Sequence, residues 1–459
     1  MASADRMTIY APATALGRAA VAVIRVSGPR AGEALDALTG RRRPAARRAA
    51  KVRLRDGAGG EVLDDALVLW FPAPNSATGE EVAEFHLHGG RAVLAAVLAA
   101  LGRVPGLRLA QAGEFTRRAF DAGKLDLSEV EGLADLIAAD TEAQRRQALR
   151  QLSGELGRLC EGWRTRLVAA LAQAEAEIDF PDEGDVPRGL IESLRPALAG
   201  VAAEIRAHLA DQRGERLREG LSIAIIGPPN AGKSSLLNCL AQREAAIVAA
   251  TAGTTRDVIE VQLDLNGYPV SLADTAGLRD LSSESGDAQQ EIEREGIRRA
   301  LLRALSADLK ILVVDACERS VDAAVSRLAD ENTIVVANKI DLVTASLPVI
   351  GGRNPHPVST RTGIGINALV ATLEREVADR LGATSTTAPI ITRARHREAL
   401  ADCVAALDRA LAGAATGAVA AELITEDLRL AVRALGRITG RVGVEDILDV
   451  IFREFCIGK

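Results

Sequence analysis

Short apolar runs bounded by turn residues recur between residues 221 and about 382, and segments with helical spacing separate them. The runs are LSIAIIG, VIEVQLDL, YPVSLAD, LKILVVDA and NTIVVAN. Asn266-Gly267 joins the second run to the third and is a tight-hairpin sequence. Buried strands that alternate with helices predict a mainly parallel sheet with helices on both faces.

The residues before this region show two kinds of sequence pattern. Residues 1 to about 120 are mixed α/β, with strand-like runs at 21–26 and 66–71 and a helix after His88-Gly89-Gly90. Residues 125–215 have helical spacing. A capping box at Ser128-x-x-Glu131 is predicted to open the first of these helices. The second is predicted as one helix over 191–219.

The chain is helical again from about residue 390, where Ala and Leu dominate. The order helical, α/β, helical suggests an insertion, because the two ends of a domain often lie close together. Our interpretation is that 125–215 and 390–459 form one helical domain interrupted by the α/β domain. Two independent helical segments remain the alternative.

Composition narrows the class of protein. A chain of 459 residues is too long for one ordinary core, and 48% apolar with 26% charged residues excludes general disorder. A net charge of −6 excludes a polybasic nucleic-acid binder. Five scattered cysteines without a CxxC pair suit a reducing compartment. With no long apolar run and no signal peptide, we expect a soluble cytoplasmic protein that does not enter a membrane.

A phosphate-binding motif follows the first buried run. Residues 227–234, GPPNAGKS, match G-x-x-x-x-G-K-[ST] between a strand and a helix. Glycines let backbone N–H groups curl around phosphate oxygens. Lys233 is expected to reach the β- and γ-phosphates, and the Ser234 hydroxyl is expected to bind Mg²⁺.

The remaining motifs point to guanine. Asp341 in 338–341, NKID, can accept hydrogen bonds from N1–H and the 2-amino group of guanine, and adenine offers neither. The backbone of 359–361, STR, is expected to support the guanine O6, and 274–277, DTAG, to lie near Mg²⁺ and the γ-phosphate. Thr254 and Thr255 precede the second run, where Thr255 can close over Mg²⁺. The order of these motifs resembles translation-factor-like GTPases.

The predicted GTP-binding residues share these motifs and the loop before the second run. They are Asn230, Ala231, Gly232, Lys233, Ser234, Ser235, Ala249, Ala250, Thr251, Ala252, Gly253, Thr254, Thr255, Asp274, Thr275, Ala276, Gly277, Asn338, Lys339, Asp341, Ser359, Thr360 and Arg361.

Two usual catalytic groups are missing from the sequence. Leu278 follows DTAG, where Ras-like GTPases carry the glutamine that orients water, and no arginine is obviously presented in cis. Loss of an arginine finger removes a factor of about 10³–10⁵ in rate. Either another group supplies the charge and positions the water, or hydrolysis is slow.

The final segment, 446–459 (DILDVIFREFCIGK), resembles the end of the MnmE (TrmE) family of tRNA modification GTPases. Further similar segments are GRAAVAVIRVSG, PNSATGEEVAEFHLHGG, AGEFTRRAFDAGKLDLSEVEGLADLI, IDFPDE and GPPNAGKSSLLN. The resemblance implies a multidomain α/β plus α fold. Residues 1–120 would form an α/β folate-binding and dimerisation domain, 121–216 and 385–459 the two parts of a helical domain, and 217–384 an inserted Ras-like P-loop GTPase domain.

The resemblance also implies the ions and the catalytic groups. K⁺ would take the place of an arginine finger when GTPase domains meet in the homodimer. Its ligands would be Asn230, Ala249, Thr251 and Thr254, and those of Mg²⁺ would be Ser234 and Thr255. Ala249 stands where the family loop TDIAGT offers a side chain, and Pro228 replaces a family arginine.

The resemblance implies two catalytic residues: Glu293 would position the attacking water, and Lys233 would bind the phosphates. The alternative for Glu293 is a solvated glutamate at the start of a helix. Cys456 is either a nucleophile or a packing group near the folate.

Folate would bind Arg25, Glu84, Lys124 and Lys459, and a tetrahydrofolate one-carbon unit would be inserted at C5 of the wobble uridine. The partner MnmG would carry the FAD, and the product would be carboxymethylaminomethyl- or aminomethyl-uridine in tRNA. The competing hypothesis is an RNA-binding GTPase switch of the ribosome-assembly type.

Overall fold

The protein divides into two compact units. The computed structural model describes residues 7–15, 17–40, 43–57, 60–179, 190–243, 246–247, 260–274, 307–318, 329–344, 347–382, 390–416, 420–442, 448, 451–453, 455 and 457–458. One unit, hereafter the opening unit, comprises residues 1–134, 150–199 and 402–459. The other, hereafter the nucleotide unit, comprises 135–149 and 200–401. Each unit is assembled from segments that are far apart in sequence.

Six strands among the described residues form the sheet of the opening unit, in the order β3-β4-β5-β2-β1-β6. Neighbouring strands are antiparallel except β1 and β6. Helices α1 and α2 cover one face, on which Ile24, Phe85 and Leu101 are fully buried. The bounds are β1 (Thr8–Pro12), β2 (Val21–Ser27), α1 (Ala31–Thr39), β3 (Ala50–Arg55), β4 (Val62–Phe71), β5 (Val82–His88), α2 (Arg91–Gly102) and β6 (Leu107–Leu109).

Helices follow this sheet and return near the end of the sequence. Within the opening unit, α6 packs along α13, and the fully buried Trp163 lies on α6. The bounds are α3 (Glu114–Asp121), α4 (Leu127–Ala138), α5 (Glu142–Leu152), α6 (Glu155–Asp179), α7 (Leu190–Ser193), α8 (Arg195–Leu209), α9 (Arg213–Glu219), α10 (Lys233–Arg243), α11 (Ile366–Leu381), α12 (Ala394–Thr416) and α13 (Ala421–Thr439).

The nucleotide unit contains a sheet in which the described strands run in the order β13-β12-β11-β7-β10-β9-β8. The pairs from β13 through β10 are parallel, and β9 is antiparallel to both β8 and β10. All five predicted runs are strands. The bounds are β7 (Leu221–Ile226), β8 (Ala246–Ile247), β9 (Glu260–Leu265), β10 (Tyr268–Asp274), β11 (Leu309–Asp315), β12 (Thr333–Asn338) and β13 (His356–Pro357).

The Asn266-Gly267 hairpin is confirmed. Both residues have positive φ, 53° and 87°, as a two-residue turn of type I′ requires.

Two helix predictions are wrong. The box at the start of α4 lies two residues earlier than predicted: Asp126 Oδ1 accepts from Glu129 N–H at 2.8 Å, and Glu129 Oε2 accepts from Asp126 N–H at 2.7 Å. Ser128 and Glu131 are instead buried within the helix. The predicted helix over 191–219 is three helices, α7, α8 and α9, since the chain leaves helical geometry at residues 194 and 210–212.

The segments that enter and leave the nucleotide sheet are held together by ion pairs. Asp135 accepts from Arg218 Nε at 3.0 Å and from Arg393 Nη2 at 2.7 Å. Arg397 Nη2 donates to Glu215 Oε2 at 2.7 Å. A sheet unit whose two connections are joined in this way has the connectivity of an inserted domain.

Candidate functional site

The phosphate-binding motif lies at the carboxyl end of β7, which is the position that parallel sheets use for ligands. Three of its residues, Gly227, Asn230 and Gly232, have positive φ. Gly227 has φ of 143°, and a Cβ there would lie 2.1 Å from the Val313 carbonyl oxygen. Asn230 has φ of 62° and is exposed. The loop is therefore shaped by close backbone approach, so its amide groups can line a phosphate.

Lys233 opens α10 directly after the loop. Its side chain is almost fully buried, and Nζ donates to the carbonyl oxygens of Gly227 at 3.0 Å and Pro228 at 2.8 Å. The ammonium thus lies across the loop, close to where the loop amides would hold phosphate oxygens. Ser234 and Ser235 follow on the first turn and are exposed.

Asn338 joins the phosphate loop to the base-recognition segment. This buried side chain donates from Nδ2 to the Ala231 carbonyl oxygen at 2.9 Å and accepts at Oδ1 from Thr360 N–H at 3.1 Å. A Cβ on Gly232 would lie 2.2 Å from the same Nδ2. Only glycine fits between the loop and the asparagine.

The Asp341 carboxylate is fixed in an orientation that suits base recognition. Ser359 Oγ donates to Oδ1 at 2.6 Å, and Arg361 Nη2 lies 2.7 Å from Oδ2. The hydrogen bond from Ser359, followed by the charge of Arg361, lowers the pKa of Asp341 below its ordinary value. The group is therefore a carboxylate at neutral pH and can accept two N–H groups from one edge of a guanine.

A further charged pair lies beside this turn and was missed from the sequence. Asp315 ends β11 and its Oδ2 lies 2.6 Å from Lys339 Nζ. Asp315 could have been identified from its position at the end of a strand. The neighbouring strand ends at Asn338, and the register pairs Asp315 with Asn338.

The predicted ion ligands in the described residues are oxygen donors at the surface of the loop. The Ser234 hydroxyl and the Asn230 side chain are both exposed, and hard cations such as Mg²⁺ prefer such oxygens. No group of three or more His, Cys, Asp or Glu side chains within the described ranges could by itself hold a metal ion.

Several predicted site residues lie outside the described residues. They are Ala249, Ala250, Thr251, Ala252, Gly253, Thr254, Thr255, Thr275, Ala276, Gly277, Glu293, Cys456 and Lys459, and of Asp274 only the backbone, at the end of β10, is described. Their predicted roles stay predictions.

Two of the predicted folate residues form an ion pair in the opening unit. Arg25 and Glu84 face each other across β2 and β5, with Arg25 Nε donating to Glu84 Oε1 at 3.1 Å. The Arg25 guanidinium lies 6.0 Å from the centre of the Phe115 ring. Lys124 is exposed, and a side chain on Gly79 would meet its Cε at 3.6 Å.

The last described residues close onto the same sheet. Ile457 forms an antiparallel bridge with Ala112, and a Cβ on Gly458 would lie 1.8 Å from the Pro12 carbonyl oxygen. Pro12 is next to Ala11, which the register places opposite Arg25. The residue before Lys459 therefore contacts β1, the strand that pairs with the strand of Arg25. Lys124 has no described contact with either.

A phosphate loop after a buried parallel strand, tied by an asparagine to an Asn-Lys-x-Asp turn, defines a P-loop GTPase. Family models agree and go further: a "GTP-binding protein TrmE N-terminus" model matches residues 8–124 and an "MnmE helical domain" model matches 127–456. The chain belongs to the MnmE family of tRNA modification GTPases.

Full-length relatives show the same family. The chain is 59% identical to the tRNA modification GTPase MnmE of Parvibaculum lavamentivorans, over 98% of this chain and 100% of that protein. It is 58% identical to the protein of the same name from Paramagnetospirillum magneticum, over 98% and 99%.

Solved structures give weaker likenesses. The G domain of the T. maritima FeoB iron transporter is 27% identical, with 34% of this chain and 98% of that chain covered and a TM-score of 0.25. An Era variant of Aquifex aeolicus bound to GDP and AlF4⁻ is 23% identical, covering 40% and 66%, with a TM-score of 0.27. None of the described helices is long and apolar enough to cross a membrane.

Proposed function

We propose that this GTPase is the GTP-hydrolysing component of a complex that modifies the wobble uridine of tRNA at C5. The one-carbon unit comes from a tetrahydrofolate derivative, and an FAD-dependent partner, MnmG, shares the chemistry in the cytoplasm. The product carries a carboxymethylaminomethyl or aminomethyl group. The observation that supports this most directly is that residues 457–458 close onto the sheet that carries Arg25 and Glu84.

GTP is cleaved to GDP and phosphate at the loop that ends β7. Asp341 holds the guanine edge, Lys233 approaches the β- and γ-phosphates, and Ser234 binds Mg²⁺, which neutralises the phosphate charge when bound. Asn230 is the side-chain ligand of K⁺. Since Leu278 cannot orient water, Glu293 takes that function in our proposal.

Folate binding uses the cross-strand pair in the opening unit. A carboxylate accepts hydrogen bonds from the amino and ring N–H edge of a pterin, and a guanidinium or an ammonium attracts the glutamyl carboxylates. Arg25 is 27% exposed and Glu84 18%, so both are partly desolvated yet reachable by a ligand. Lys124 and Lys459 complete the set that we propose.

In our proposal a second copy of the chain covers the part of the other sheet face that carries Val21 and Leu67. The face opposite α1 and α2 carries exposed apolar side chains: Val21 is 51% exposed and Leu67 is 47% exposed. The register places Leu67 opposite His86, and Val21 opposite His88, so these side chains share one face. A face of this kind on a monomer is typical of a protein interface.

Binding of a reduced folate tests the proposed function in the purified protein. The wild type and Arg25→Ala are titrated with 5-formyl-tetrahydrofolate by calorimetry, and the variant should bind at least tenfold more weakly, a loss of about 1.4 kcal/mol. Arg53→Ala is the matched control, because it removes an exposed cross-strand pair with Asp65 from the same sheet. Equal binding by both variants, or no binding by the wild type, contradicts the folate site.

Nucleosides of tRNA from a deletion strain complete the test. Mass spectrometry should show loss of the C5-modified wobble uridine, with recovery by the wild-type chain and not by Arg25→Ala. Unchanged wobble uridine together with stable association of the chain with ribosomes would favour the ribosome-assembly alternative instead.

A further inference from the structure

Asp315 and Lys339 meet where two parallel strands end. Asp315 is the last residue of β11, and Asn338, the residue before Lys339, is the last of β12. The register aligns Asp315 with Asn338, and Ala316 N–H donates to the Asn338 carbonyl oxygen at 2.8 Å. This alignment brings the Asp315 carboxylate to 2.6 Å from the Lys339 ammonium.

The carboxylate is itself held in place. Asp315 Oδ1 accepts from Cys317 N–H at 2.9 Å, which leaves Oδ2 for Lys339. The Asp315 side chain is 17% exposed and that of Lys339 34%. A charge pair with this burial is screened less by solvent than a pair on the open surface.

Lys339 also has a backbone that needs support. Its φ of 66° lies in the left-handed region, which side-chain-bearing residues rarely adopt. Such geometry persists when the surroundings determine it, and it concentrates at functional sites. Lys339 lies between Asn338, which contacts the phosphate loop, and Asp341, to which the proposed function assigns the guanine edge. Its side chain therefore starts at the wall of the guanine pocket.

We propose that Asp315 is a positioning residue for the guanine site, holding the Lys339 ammonium so that the lysine side chain covers one face of the base. The proposal rests on the guanine-binding function proposed for residues 338–341. Asp315 touches neither the base nor the phosphates in this assignment. It acts only through Lys339.

A second pair in the same strands provides a matched control. Asp330 and Lys310 form a hydrogen-bonded ion pair at the other end of β11 and β12, away from the phosphate loop. Asp330→Asn therefore removes the same kind of pair from the same two strands. If Asp315 contributed only to the stability of these strands, Asp330→Asn should weaken nucleotide binding as much as Asp315→Asn does.

The experiment measures binding of fluorescent GDP and IDP to the full-length variants. Asp315→Asn should weaken GDP binding about tenfold, equivalent to about 1.4 kcal/mol. KM for GTP should rise by a similar factor while kcat at saturating GTP stays near the wild-type value. GDP and IDP should be affected equally, because a base face is common to guanine and hypoxanthine. Asp330→Asn should bind both as the wild type does.

A double-mutant cycle then asks whether Asp315 acts through Lys339. Lys339→Met removes the same pair from the lysine side and should also weaken binding. Adding Asp315→Asn to Lys339→Met should then have no further effect. Additive losses, a loss equal to that of Asp330→Asn, or a loss that differs between GDP and IDP would overturn the proposal.

A separate variant, Asp341→Asn, tests whether residues 338–341 bind guanine at all. Asp341→Asn should cost GDP more than IDP, since only guanine presents the 2-amino group to that carboxylate. If Asp341→Asn left both affinities unchanged, the guanine site itself would be misplaced, and the Asp315 proposal would fall with it. If Asp341→Asn behaves as expected and Asp315→Asn has no effect, only the positioning proposal is overturned.

Discussion

The Asn338 side chain joins the phosphate loop to the base-recognition segment. Replacing it with Ala removes two hydrogen bonds and leaves the Ala231 carbonyl and the Thr360 N–H without that partner. Asn338 is 1% exposed and Ala231 is fully buried, so water cannot readily replace the amide. Each unsatisfied buried group costs about 1–3 kcal/mol, so we expect Asn338→Ala to lower the free energy of unfolding by about 2–6 kcal/mol.

Hydrogen exchange in increasing urea measures this loss within the nucleotide unit alone. The amides of β7 and β12 report its unfolding, and Asn332→Ala is the matched control. Asn332 precedes the other end of β12, where its Oδ1 accepts from Arg380 Nη1 at 3.0 Å at a partly exposed site. The control should cost about 0.5–1.5 kcal/mol.

Nucleotide linkage provides the second readout of Asn338→Ala. At a GDP concentration of 100 times Kd, binding stabilises the wild-type protein by about 2.7 kcal/mol. At the same GDP concentration the variant should gain less, because its phosphate loop has lost its tie to the base-recognition segment. Equal unfolding free energies for Asn338→Ala and Asn332→Ala, or an undiminished GDP effect, would refute the reasoning.

Three further expectations concern separate parts of the molecule. Trp163→Ala empties a fully buried site and should cost the opening unit about 3–5 kcal/mol in urea unfolding, with GDP binding unchanged. A hydrogen bond from Arg213 lowers the pKa of Asp211 in the folded protein. The ionised carboxylate therefore stabilises the fold at pH values above the unfolded pKa, and this stabilisation is lost as the pH falls through the folded pKa. Asp211→Asn should therefore make the free energy of unfolding depend less steeply on pH below pH ~4. Gly458→Ala should speed hydrogen exchange of the amides next to Pro12, because the new Cβ would clash with the Pro12 carbonyl oxygen. Gly40→Ala is the control, since Gly40 also has positive φ but no atom lies close to the new Cβ.

The central strands β7, β11 and β12 of the nucleotide unit could be predicted because they are buried on both faces. Continuous apolar runs such as 309–315 then mark a strand without any alternation. The two-residue strands β8 and β13 were missed, since so short a segment has no pattern to detect. The hairpin at Asn266 was found because positive φ at both positions selects few residue types.

Helix starts were harder to predict. Asp126 and Ser128 each precede a glutamate by three positions, so both fit a capping box. The choice depends on packing: Leu127 and Val130 are fully buried, and this fixes the helix register. The contacts of the site also fall into those that are visible in the sequence and those that depend on packing. Contiguous motifs were visible in the sequence, whereas the pairing of Asp315 with Lys339 depends on which strands are neighbours.

The bridge between Ala112 and Ile457 makes the order of synthesis matter. The ribosome makes the first sheet early, and it completes the last segment of the nucleotide unit at residue 401, before it makes the residues that contact Pro12. Contacts so distant along the chain form late, because a long loop must close first. A chain that ended before residue 448 would therefore contain every segment of the nucleotide unit but lack the residues that contact Ala112 and Pro12 in the opening unit.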